Sequence, residues 1–238
     1  KFRSFYDEKQ DIDVFFMGTS HVLDDITPME LWRDFGVTSY NMGTSSECLG
    51  MTEWILKLTA EVHKPKIAVI DVYYIDKPLD LEWTFSYRHL FFDSYPLSLR
   101  KFEAVRATLP KGQWMEFMMP FSLYHSRWEE LMTGTSARMI NCEPFMMGSE
   151  MRIGRGEPLP YTRTHEMTEG ELPGVQALRN IAAYCRENGI EPVFMALPAP
   201  VSEQEQANMN SVQRLADELD VPFLNLFDED TGIDFYTD

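Results

Sequence analysis

The sequence predicts an α/β protein built on a parallel sheet with helices on both faces. Short apolar runs recur along the chain, each closed by a turn-forming residue, and amphipathic helical stretches separate them. Lys66-Ile-Ala-Val-Ile-Asp-Val-Tyr73 is apolar on both alternating faces, as a strand covered on each side requires. Strand–helix–strand alternation with right-handed crossovers leaves the strand C-termini, and any ligand site, along one edge of the sheet.

The elements follow in order. Residues 1–10 are polar and charged and read as a lead-in outside the core. Asp13-Val-Phe-Phe-Met17 is a buried strand that stops at Gly18. Thr27-Pro-Met-Glu30 places an N-cap before a proline at the first helical position, and that helix carries Leu31, Trp32 and Phe35 before Gly36 ends it. Val37-Thr-Ser-Tyr40 is a second strand, closed by Asn41-Met-Gly43. Residues 46–63 form a helix with Leu49, Ile55, Leu58 and Val62 inward, followed by the strand ending near Asp71. Residues 174–188 repeat the helical spacing with Leu178, Ile181, Ala182 and Cys185 inward, and stop at Gly189. Pro192-Val-Phe-Met-Ala-Leu197 is a strand, residues 208–220 a helix, and Pro222-Phe-Leu-Asn-Leu-Phe227 the last strand. Residues 80–171 break the rhythm. They hold Trp83, Trp114 and Trp128, are helical around 97–108 and 124–132, and loop out over 148–168; they read as a cap inserted into a single domain spanning 1–238.

Composition narrows the function. The 238 residues carry 21 Lys+Arg against 38 Asp+Glu, a formal charge of −17, with no compensating basic run, so a nucleic-acid backbone would be repelled. No apolar stretch is long enough to cross a bilayer. Cys48, Cys142 and Cys185 are too few and too scattered for a disulfide framework or a zinc site, and no histidine has partners at metal-ligand spacing, so no metal or organic cofactor is expected.

The chemistry-bearing residues gather at strand ends. Gly18-Thr19-Ser20-His21 follows the first strand, where a serine either caps a helix or presents its hydroxyl as a nucleophile beside backbone N–H groups that steady an oxyanion. After the second strand, Asn41 and Gly43 read either as a turn or as oxyanion donors from a side chain and a backbone N–H. Asp71, ending the third strand, orients a catalytic group or accepts bonds from the next turn. In Tyr124-His-Ser-Arg-Trp128, His125 and Arg127 are either substrate contacts or structural members of the cap, and Trp128 reads as packing.

In this order, the strand before Gly18-Thr-Ser-His21, Ser39-Tyr-Asn-Met-Gly43, the strand ending Asp71-Val-Tyr73, Tyr124-His-Ser-Arg-Trp128, Tyr184-Cys-Arg-Glu-Asn-Gly-Ile190 and the Pro198 loop resemble the SGNH/GDSL-type hydrolases. The closer likeness is to a bacterial branch with a Gly-Ser/Thr-Ser-His signature, and it spans nearly the whole chain. The resemblance implies a three-layer α/β/α sandwich with a flavodoxin-like parallel sheet. It implies Ser20 as nucleophile with Gly43 lending an oxyanion N–H; His21, His125 and Arg127 are read beside them as candidate substrate contacts. Such proteins work outside the cytoplasm beside membrane-bound O-acyltransferases on acylated glycans or cell-wall polymers, commonly tethered by an N-terminal membrane anchor. Two departures stand out. The superfamily's Gly-x-Asn block is replaced here by Asp71-Val-Tyr-Tyr74, and the Asp-x-x-His block that supplies the base is expected beyond Ile233-Asp-Phe-Tyr-Thr-Asp238. The resemblance therefore leaves two functions open: a serine esterase or O-acyltransferase, or a carbohydrate-binding partner that has lost hydrolysis.

Overall fold

The structure is a computed structural model and describes residues 2–80, 85–119, 146–150, 164–199 and 202–227. Among the described residues five strands form one sheet, all parallel, in the order β2-β1-β3-β4-β5: β1 (Val14–Met17), β2 (Ser39–Asn41), β3 (Ile67–Asp71), β4 (Glu191–Ala196) and β5 (Phe223–Asn225). The helices of the described residues are α1 (Phe2–Asp7), α2 (Ser20–Asp25), α3 (Pro28–Phe35), α4 (Leu49–Thr59), α5 (Phe85–Phe92), α6 (Leu99–Thr108), α7 (Trp114–Met118), α8 (Val175–Glu187) and α9 (Glu203–Leu219).

Alternation along the strands divides the interior. Phe15 and Met17 of β1, Tyr40 of β2, Ala68 and Ile70 of β3, and Phe194 and Ala196 of β4 face a large core that takes in α4, α8 and α9. Val14, Val69 and Met195 face the other way, into a smaller cluster that includes Val22 of α2. Helices on both faces of a parallel sheet are consistent with a three-layer α/β/α arrangement. Because β1 is followed by a connection to β2 on one side and β3 lies on its other side, the crevice between the C-terminal ends of β1 and β3 is the topological switch point of the sheet, where ligands bind in folds of this order.

Most predicted elements appear near their expected bounds. Leu178, Ile181, Ala182 and Cys185 are fully buried in α8, and Gly36 ends α3 in the left-handed conformation. Three expectations change. Residues 2–7 form α1 rather than a lead-in, because Phe5 is buried edge-on against Phe15 and Tyr40, with His63 Nε2–H donating to the Phe5 carbonyl 3.0 Å away. Val62, expected inward, lies past the end of α4 and is exposed. The described part of the inserted region does not stand apart as a cap: Phe91, Phe92, Ala104, Val105 and Phe117 join the main core, with α6 packed on α4. The expected helix at 124–132 and most of the loop at 148–168 lie outside the described residues.

Candidate active site

The site grows from the turn after β1. Gly18 has φ +147°, and a Cβ there would stand 2.5 Å from Asp71 Cβ, so only glycine lets β1 and β3 end this close together. Thr19, extended at φ −78° and ψ −167°, is the N-cap of α2, and its Oγ1 accepts the His21 N–H at 3.3 Å. The capping role offered for Ser20 thus belongs to its neighbour. Ser20 is half-buried and has no hydrogen-bond partner among the described residues, which leaves its hydroxyl and backbone N–H available at the sheet's edge.

Asp71 is the anchor beneath this turn. Its side chain is buried, Oδ2 accepts from Thr19 Oγ1 at 2.8 Å and Thr19 N–H at 3.4 Å, and Oδ1 accepts from Tyr73 N–H at 3.1 Å. Burial pushes the carboxyl above the ordinary aspartate range, opposed by the nearby His21 and by these bonds. Asp71 therefore serves as a support behind Thr19, with both oxygens turned toward the protein.

Asn41 and Gly43 do something other than offer donors to a substrate. The Asn41 side chain is buried, and its Nδ2 donates to the carbonyls of Val22 at 2.5 Å and Ile26 at 2.9 Å at the far end of α2, while Oδ1 accepts the Gly43 N–H at 3.0 Å. The carboxamide is committed to two carbonyls at the end of α2, that of Val22, which also accepts the Ile26 N–H at 3.2 Å, and that of Ile26, and the Gly43 N–H is committed to the carboxamide. Gly43 also makes room: a Cβ there would lie 2.7 Å from Leu23 N and 2.9 Å from Thr19 O. The next residue continues the clasp, with Thr44 N–H donating to Gly18 O at 2.9 Å. Buried Glu47 then fixes the loop, accepting from Thr44 Oγ1 and Thr52 Oγ1, each at 2.7 Å.

On the other side of Ser20, the His21 ring packs on Tyr73 with centroids 4.1 Å apart, and Tyr73 stacks with Tyr74 at 5.2 Å. The Tyr73 hydroxyl donates to Glu205 Oε1 at 2.9 Å. Glu205 is the third residue of α9 and closes a capping box with Ser202. Burial opposes its charge, but the Ser202 N–H, the Ser202 hydroxyl and Tyr73 together hold its carboxyl below the ordinary range. The structure thus brings together Ser20, His21, Asp71, Asn41 and Gly43, as read from the sequence; His125 and Arg127 lie outside the described residues. It adds Thr19, Tyr73 and Glu205. Ser202-x-x-Glu205 was a sequence-level cap signal, whereas nothing local foretold that Glu205 would meet Tyr73.

Away from this edge, His89 Nδ1 lies 3.1 Å from Asp93 and Nε2 3.3 Å from Glu116, so it ties α5 to α7. Among the described residues no three His, Cys, Asp or Glu side chains are placed to share a metal ion. Nor is any helix of those residues long and apolar enough to cross a membrane.

No protein-family model matches the chain, and no curated protein matches it.

Proposed function

We propose that the protein is a serine esterase or O-acyltransferase acting outside the cytoplasm on acylated cell-envelope carbohydrate, with Ser20 as the nucleophile. The observation that carries this reading is the state of Ser20. The residue is half-buried and its hydroxyl is unpartnered among the described residues, beside the switch-point crevice, on a turn held from behind by Asp71 and Thr19. Attack of Ser20 Oγ on an ester carbonyl forms the acyl-enzyme and expels the sugar hydroxyl; water or a second hydroxyl then takes the acyl group. The Ser20 N–H, at the first position of α2, is the donor nearest the developing oxyanion. The SGNH-like resemblance of the sequence supports the same chemistry.

The second reading, a carbohydrate-binding partner without hydrolytic activity, is favoured by the commitment of the Asn41 amide and the Gly43 N–H to structural bonds. A fluorophosphonate probe and p-nitrophenyl acetate separate the two. The esterase reading expects labelling and turnover that Ser20→Ala abolishes. Labelling and turnover equal in the wild type and Ser20→Ala, or absent from both, would refute it.

A further inference from the structure

We propose that Tyr73, tethered by Glu205, is a positioning residue that fixes the His21 imidazole beside Ser20. The inference rests on the reading of Ser20 as nucleophile, and it extends the site to an element that the chain reaches far later. His21 leaves the end of β1 and Tyr73 leaves the end of β3, which are neighbours in the sheet, so their rings, tilted at 40° with centroids 4.1 Å apart, bridge the crevice mouth. Tyr73 is held at three points. Its backbone N–H is bonded to Asp71, its ring contacts those of both His21 and Tyr74, and its hydroxyl is bonded to Glu205 across 132 residues of sequence. Glu205 is itself pinned by the Ser202 N–H at 2.7 Å and the Ser202 hydroxyl at 2.8 Å. A half-buried imidazole would otherwise sample several rotamers; packed against a phenol that cannot swing, it keeps one.

The test uses the full chain with carbon-13-labelled histidine and reads the His21 ring resonances alongside the rate of Ser20 labelling by a fluorophosphonate. Tyr73→Phe, which keeps the ring and removes the tether, and Glu205→Ala should each move the His21 resonances and slow labelling by about tenfold or more, as small misplacements near a reacting centre do. Glu205→Gln, which keeps an acceptor for the phenol, should recover both. Ser202→Ala removes one of the two bonds that pin Glu205 but keeps the Ser202 N–H and the phenol's acceptor, and should move the His21 resonances less than Glu205→Ala does. Unchanged His21 resonances in Tyr73→Phe and Glu205→Ala, or slowing that follows only the loss of folded protein, would overturn the proposal. Should wild type and Ser20→Ala label equally, the nucleophile reading falls, while the His21 resonances still decide whether Tyr73 and Glu205 hold the ring.

Discussion

Replacing Gly18 by alanine tests the packing that underlies the site. The new methyl would sit 2.5 Å from Asp71 Cβ and 3.1 Å from Asp71 Oδ2, and a backbone φ of +147° is one that L side chains avoid. Neither partner can swing away, since Asp71 Cβ is fixed by the pairing of β3 with β1 and β4. Overpacking of this kind costs about 1–3 kcal/mol, and the backbone strain adds roughly another 1–3 kcal/mol. The sum, about 2–6 kcal/mol, is a large part of the ~5–15 kcal/mol that holds a domain folded. Urea unfolding followed by tryptophan fluorescence should show the midpoint falling by about 1–3 M, given a slope near 2 kcal/mol per molar. Adding Asp71→Gly removes the opposing Cβ, so the double variant should be less destabilised than the sum of the singles by about 1–3 kcal/mol. A Gly18→Ala protein within about 0.5 kcal/mol of wild type would refute the argument, because β1 and β3 could not then approach as described.

Asn41→Asp puts a carboxylate against two carbonyl oxygens that now receive hydrogen bonds, and should destabilise by several kcal/mol near neutral pH, on the order of 2–5; urea midpoints that match wild type would count against the clasp. Because burial raises the Asp71 carboxyl, the native state keeps its proton longer than the unfolded chain, so this group's contribution is whole below the ordinary aspartate range, about pH 4, and is lost as pH rises through the native value. Asp71→Asn should flatten that part of the stability–pH curve. Glu205 has the opposite sign: its carboxyl is held low, so its contribution is present above the ordinary glutamate range and disappears as pH falls through the native value, a drop that Glu205→Gln should remove. Burial pushes the Cys185 thiol up to about 12 and also raises Cys48, so in a Cys142→Ser background a disulfide-exchange reagent should modify neither until the protein is unfolded.

How far the sequence could be read follows from where each signal resides. Strands buried on both faces announce themselves as apolar runs, and β1, β3 and β4 lie where those runs are. The α8 helix was legible because one face carries all its large apolar residues. The start of α9 has no periodic signal, since Glu203-Gln-Glu-Gln206 is polar throughout, and only the Ser202-x-x-Glu205 cap spacing marks it. In α1, Phe5 is the one fully buried residue among the described side chains and gives too little pattern to separate a docked helix from a charged tail. At the site, Ser20, Asp71 and Asn41 could be placed because strand ends converge on one edge. Their roles could not, because whether an amide faces a ligand or a helix end is decided by α2 folding back over Asn41, a tertiary event. The Tyr73–Glu205 bond is invisible in the sequence for the same reason.

The Asn41 clasp has a mechanical consequence. One carboxamide grips the last turn of the helix that carries Ser20 while its own backbone belongs to the outermost strand, and Thr44 fastens that strand's exit to Gly18. The edge of the sheet and the reactive turn therefore travel as one rigid body, and hydrogen exchange should find the amides of Met42, Gly43 and Thr44 opening together with those of Leu23 and Ile26, in a single cooperative step.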